Sequence, residues 1–187
     1  MNREKLKHEL RRHFSDSTAI MTLANPLYAG VETLAVGMSD RVSLNSRLMN
    51  TGLVYAGLGS LTKLRDFSKR LFGISEKSRE IVKGMHDVVF AGTLIVGIKP
   101  LVYLASGEDD WKKIALATGL SVLTGGAVAY PMGYLVDSYR DLTGVEESNR
   151  LPELVKRQSP RVKKTLAALL TAGSVGAAGL VYAFNGR

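Results

Sequence analysis

Polar and apolar residues occupy long alternating blocks along this chain. Charge collects at residues 1–16, 63–87, 108–113 and 137–164, and the stretches between are nearly uncharged. A soluble helical bundle would instead place charge on every turn of each helix. The block pattern predicts spans and loops, with apolar helices at 17–39, 48–62, 88–107, 114–136 and 165–185. Crossing the hydrocarbon core takes roughly 20 residues. The second segment is short by that measure, so it either thins the bilayer locally or reaches the interface with Arg47 and Lys63 snorkelling from its ends.

Two of these segments carry a lone charge, Glu32 in the first and Lys99 in the third. A charge inside a membrane helix is expensive and normally faces a partner or a wet cavity. Glu32 and Lys99 lie at matched depth, so they can pair, or they can hold the two ends of a zwitterion. A structural salt bridge, or Lys99 snorkelling outward, is the plainer alternative. Pro26 and Pro100 interrupt the same two helices and free backbone carbonyls for packing or for a ligand. Asn25 adds a polar group beside the first of them.

An internal repeat runs at an offset of 71 residues. Asp16 matches Asp87, Thr22-Leu23 matches Thr93-Leu94, and Val31 matches Val102. Leu64-x-Asp66 matches Leu135-x-Asp137, and Leu71-x-Gly73 matches Leu142-x-Gly144. At this offset Glu32 pairs with Tyr103, and Lys99 with Tyr28. Each unit is a two-helix hairpin, so both enter from the same side and the repeat is parallel. Asp16, Asp66, Asp87 and Asp137 fall at the ends of the four repeat helices. With Arg65 and Arg140 beside them they read as a cytoplasmic gate, or as helix caps in the case of Asp16 and Asp87.

Small residues spaced four apart form rows suited to close helix packing. They are Gly52, Ala56 and Ser60; Ser121, Gly125, Ala129 and Gly133; and Ala168, Ala172 and Gly176. Any of the rows could also be an oligomer seam, and four short helices enclose little volume, so a homo-oligomer is expected.

Lysine and arginine concentrate in the N-terminal arm, in the connection after the second span and after the fourth. The positive-inside rule therefore puts the N-terminus in the cytoplasm. The net charge of +8 fits basic loops on anionic lipid, and with few aromatics among the basic residues it argues against nucleic-acid binding. The polar N-terminus lacks the apolar core of a signal peptide. There is no cysteine. His8, His13 and His86 lack metal-ligand spacing, and no phosphate loop or nucleophile elbow is present, so neither metal, cofactor nor catalysis is expected.

Over residues 14–144 the chain resembles the L-alanine exporter family of small four-span inner-membrane proteins. In the first half the resemblance rests on Asp16, Glu32-x-x-x-x-Gly37-Met38-Ser39, Ser46-Arg47-Leu48 and Arg65-Asp66. In the second half it rests on Asp87, Asp110-Trp111 and Gly133-Tyr134-x-x-Asp137-x-x-Arg140-x-Leu142. Lys99 departs from the family pattern, a proline expected in the second span is missing, and residues 145–187 are an addition. The resemblance implies proton-coupled export of L-alanine or a related small neutral amino acid by antiport.

The expected fold is an all-α membrane protein of two tandem parallel transmembrane hairpins plus a C-terminal helix. Its parts are a basic arm (1–15), a first hairpin (16–74), a connection (75–86), a second hairpin (87–145), a basic linker (146–164) and the last helix (165–187). The expected substrate or coupling residues are Glu32, Asn25, Pro26, Lys99, Tyr28 and Tyr103. A non-transporting membrane scaffold and a small ion channel are the alternatives.

Overall fold

The chain folds into long helices that run through internal prolines and glycines, and glycines of positive φ follow the ends of several of them. The computed structural model describes residues 3–57, 60–75 and 78–185, with the side chains of 60–63, 66, 80 and 130 outside that description. Helix α1 (Arg3–Gly30) runs into a π-helical turn, Val31–Ala35. Then come α2 (Asp40–Ala56), α3 (Ser60–Leu71), α4 (Glu80–Ala105) and α5 (Trp111–Leu142). A four-residue helix α6 (Glu153–Lys156) precedes α7 (Pro160–Asn185). Among the described residues there is no strand.

Caps account for the boundaries. Ser39 accepts the Val42 amide at the start of α2, and Asp110 accepts the amides of Lys112 and Lys113 at the start of α5. Gly73, Gly107 and Gly144 take φ values of +66°, +98° and +71°, where a Cβ would strain the backbone. At each, the following amide reaches back five residues, Ile74 to Lys69, Glu108 to Tyr103 and Val145 to Arg140. These bonds satisfy carbonyls that the helix end would otherwise orphan. Pro131 cannot donate to its helix, and α5 bends there by 59° between Trp111–Ala129 and Pro131–Leu142.

Helix α1 is the hub, packed against α7, α5 and α2, and α4 packs against α5 and α2. One apolar cluster, with Val36, Met38, Val42, Tyr103, Ile114 and Ala117, lies around the π-turn. A second, with Ala19, Tyr139, Leu142, Leu151 and Ala167, lies beside the middle of α1. Two helices, Ile81–Ala105 and Pro160–Asn185, are long and apolar enough to cross a membrane, and the bent α5 makes a third if it is one span. This apolar content points to a membrane protein.

The first and second spans expected from sequence do not stand out in this way. Helix α1 carries Ser15, Ser17 and Asn25 along its apolar stretch, and it begins at Arg3, inside the expected basic arm. The expected second span, 48–62, straddles the junction between α2, which ends at Ala56, and α3, which begins at Ser60. Helix α3 is amphipathic rather than apolar. Pro26 and Pro100 are accommodated inside continuous helices.

Helix boundaries recur at the same offset as the sequence matches. Helix α2 starts at Asp40 and α5 at Trp111, which is 40 + 71. The caps Ser39 and Asp110, the ends Leu71 and Leu142, and Gly73 and Gly144 also differ by 71. The start of α3 at Ser60 falls opposite the bend at Pro131. Gly107→Ala is expected to destabilise the fold by about 1–2 kcal/mol, the cost of a left-handed non-glycine residue. Unfolding in mixed detergent and dodecyl sulfate micelles measures it, and an unchanged midpoint would contradict the glycine-cap assignment.

Candidate functional site

The π-turn carries Glu32, whose side chain is fully buried. Its amides bond one residue further back than in an α-helix, as in Val36 N–H to the Val31 carbonyl at 3.0 Å. Such turns insert one residue into a helix and often mark functional positions. Helix α4 lacks the insertion. From Glu32 to Gly37 is five residues, whereas from Tyr103, 71 positions on, to Gly107 is four.

Two helices, α2 and α4, supply the donors that converge on the Glu32 carboxylate. From α2, Ser43 and Ser46 donate to Oε2 at 2.8 and 3.0 Å, and Arg47 donates to Oε1. The spacing i, i+3, i+4 puts these three side chains on one face. From α4, the Tyr103 hydroxyl donates to Oε1 at 2.9 Å and Lys99 Nζ lies 3.4 Å from it. Lys99 and Arg47 are each only 6% exposed. The Lys99 ammonium also sits 4.4 Å from the centre of the Tyr28 ring, and the Arg47 guanidinium 5.2 Å from it. Helix α5 contributes Ser121, whose carbonyl accepts from Tyr28 at 3.4 Å and whose hydroxyl lies 3.4 Å from that of Tyr103. Helix α7 reaches the cluster through Tyr182, 3.2 Å from Ser43 Oγ.

The structure therefore brings Glu32, Lys99, Tyr28 and Tyr103 together. Arg47 corrects an expectation. It is a buried partner of Glu32 rather than a residue snorkelling to the interface, because α2 starts at Asp40 and Arg47 falls in its second turn. Lys63, placed at the interface from sequence, has its side chain outside the described residues. Ser43 and Ser46 complete the site, and sequence reasoning missed these two as members, although their shared face with Arg47 was visible. Pro26 lies on α1 within the same stretch, and Asn25 has a buried Oδ1 without a hydrogen-bond partner.

The expected gate resolves into two ion clusters. In one, Arg140 holds Asp16 through two 2.7 Å bonds and lies 3.6 Å from Asp137 and from Glu146. Arg150 pairs with Asp137 at 3.2 Å, and Arg12 approaches Glu146 at 3.9 Å. In the other, Asp87 is bound by Arg65, by Lys69 at 3.1 Å and by His86 at 3.3 Å. The Asp66 side chain lies outside the described residues. Asp16 and Asp87 are not caps, since α1 begins at Arg3 and α4 at Glu80, several residues earlier. Asp141 anchors α7 through Lys163 at 2.7 Å and accepts the Ser148 amide at 2.9 Å.

Of the three small-residue rows, the one on α5 permits a visible close approach. A Cβ on Gly125 would meet Ile95 Cδ1 at 3.1 Å and the Tyr28 hydroxyl at 3.3 Å. Gly52 and Gly176, from the other two rows, face open space within the chain.

Removing one partner of a buried ion cluster strands the others. Glu32→Ala is expected to cost about 3–5 kcal/mol, because Arg47 and Lys99 would remain buried without their acid. Combining Glu32→Gln with Lys99→Met should recover part of that loss. Unfolding midpoints in mixed micelles test both, and equal stability of wild type and Glu32→Ala would refute the cluster's structural role. No family model, no curated protein and no solved structure matches this chain.

Proposed function

We propose that this chain is a multi-pass inner-membrane exporter of L-alanine or a related small neutral amino acid, driven by proton coupling. It is built as two tandem parallel hairpins and a C-terminal helix, with the N-terminus in the cytoplasm. The observation that carries this reading is the buried acid Glu32 held by Arg47 and Lys99. A zwitterionic substrate needs both signs of charge in a dry site, and a coupled proton needs a carboxylate within the membrane. The substrate class follows from the resemblance, whose motifs include Glu32 and Arg47.

Contact geometry supports the parallel hairpins. Helices running parallel across a common axis keep a constant offset between facing residues, whereas antiparallel helices keep a constant sum. Glu32 faces Tyr103 and Tyr28 faces Lys99, both at an offset of 71. The ion pair Asp16–Arg140 likewise maps onto Asp87–Lys69 by the same shift, since 87 = 16 + 71 and 140 = 69 + 71.

A non-transporting membrane scaffold is the second reading, and one observation favours it: both Glu32 oxygens are already occupied by donors. Transport separates the two. Proteoliposomes carrying the protein should release labelled L-alanine faster with a proton gradient than without. Well-expressed Glu32→Gln protein should lose that release. No gradient-dependent efflux from the wild type favours the scaffold, and normal transport by Glu32→Gln removes Glu32 from the mechanism.

A further inference from the structure

The Glu32 cluster is unbalanced. It holds one carboxylate against two cations, Arg47 and Lys99, and among the described residues neither cation is paired with another acid. The remaining contributors are neutral: Tyr28 on α1, Ser43 and Ser46 on α2, Tyr103 on α4, Ser121 on α5 and Tyr182 on α7. A net positive charge buried among packed helices is unfavourable unless an anion joins it or the lysine gives up its proton.

The polar atoms left over have a complementary pattern. Among the described residues, three buried side-chain atoms lack any hydrogen-bond partner: Arg47 Nε, Asn25 Oδ1 and Thr118 Oγ1. Buried polar atoms are nearly always paired, so each such orphan calls for a reason. One is a cationic donor and belongs to a residue 94% buried, the complement of its 6% exposure. The other two are oxygens able to accept. Each is on the cluster or one helical turn from a member of it along the same helix. Arg47 is a member of it, Asn25 lies one turn before Tyr28 on α1, and Thr118 lies one turn before Ser121 on α5.

We infer that these residues form an α-amino-acid site with separate poles. The substrate carboxylate takes the surplus positive charge of Lys99 and the free Nε of Arg47, and its ammonium donates to Asn25 Oδ1 and Thr118 Oγ1. Glu32 is then the counter-charge that sets the cluster at one net positive and, in the exporter reading, the proton-coupling carboxylate, rather than the group that meets the ammonium. This assignment rests on the exporter reading for the identity of the natural ligand, while the anion-binding pole follows from the charge imbalance.

Titration calorimetry on the purified full chain in detergent, at low chloride, tests both poles. The probes are L-alanine, propionate, L-alaninamide and chloride. L-alanine should bind, propionate should compete for the same site more weakly, and L-alaninamide, which lacks the carboxylate, should not bind. Lys99→Met should weaken both L-alanine and propionate at least ten-fold. It should leave the unfolding midpoint unchanged or raised, because Glu32 and Arg47 then balance one to one. Lys99→Arg should retain binding. Asn25→Leu should weaken L-alanine but not propionate, which reads the ammonium pole separately. Undiminished binding by Lys99→Met, or L-alaninamide binding as tightly as L-alanine, would overturn the site. Chloride that L-alanine fails to displace would assign the pole to an inorganic anion and overturn the amino-acid assignment. Binding of L-alanine without efflux would sink the exporter reading alone, and efflux untouched by Lys99→Met and Asn25→Leu would sink this site alone.

Discussion

The desolvated carboxylate of Glu32 is the point on which the arrangement depends. It is fully buried, and donors from α2 and α4 occupy both its oxygens. A buried acid without partners would cost far more than helix packing returns, so the helices that supply the donors cannot drift independently. The π-turn is the backbone device at this position. One inserted residue shifts the register of α1 at Glu32, where α4 continues as a regular helix through Tyr103. Up to that point the two helices keep one register: the acid of α1 meets a tyrosine at the matching place in α4, and a tyrosine one turn earlier meets a lysine.

The middle of α1 is held by charge in a different way. Arg140 grips Asp16 with both arms of its guanidinium, a geometry lysine cannot reproduce. Lys69 and Arg65 serve Asp87 in the corresponding place, with His86 alongside. Helix α7 is tied into both levels. Lys163 binds Asp141 near its start, and Tyr182 and Asn185 bind Ser43 and Asp40 near its end. The C-terminal helix therefore reaches the Glu32 cluster through Tyr182.

Much of this was legible in the residues themselves. Lone charges in apolar stretches stand out, and so Glu32 and Lys99 could be named as partners at matched depth. The offset of 71 could be read because aspartates are rare landmarks in apolar helices. Arg47 escaped because a short apolar segment starting at residue 48 makes its flanking arginine look interfacial. The cap at Ser39 moves the helix start back to Asp40 and the arginine inward. The π-turn left only one trace: Gly37 and Gly107 differ by 70, while the caps Ser39 and Asp110 beyond them differ by 71. The four aspartates read as one gate because sequence shows which residues lie at helix ends but not which helices share a side of the bundle.

The central claim is that α1 and α4 face each other at equal height through Tyr28 and Lys99. Because the chain has no cysteine, a pair introduced by Tyr28→Cys and Lys99→Cys is its only pair of thiols. Crosslinking with a short bifunctional thiol reagent, read as a mobility shift of the monomer, measures their proximity. The account predicts efficient crosslinking within one chain and little for Tyr28→Cys combined with Val96→Cys, whose position points outward. Folded protein that crosslinks equally in both pairs, or in neither, would contradict it.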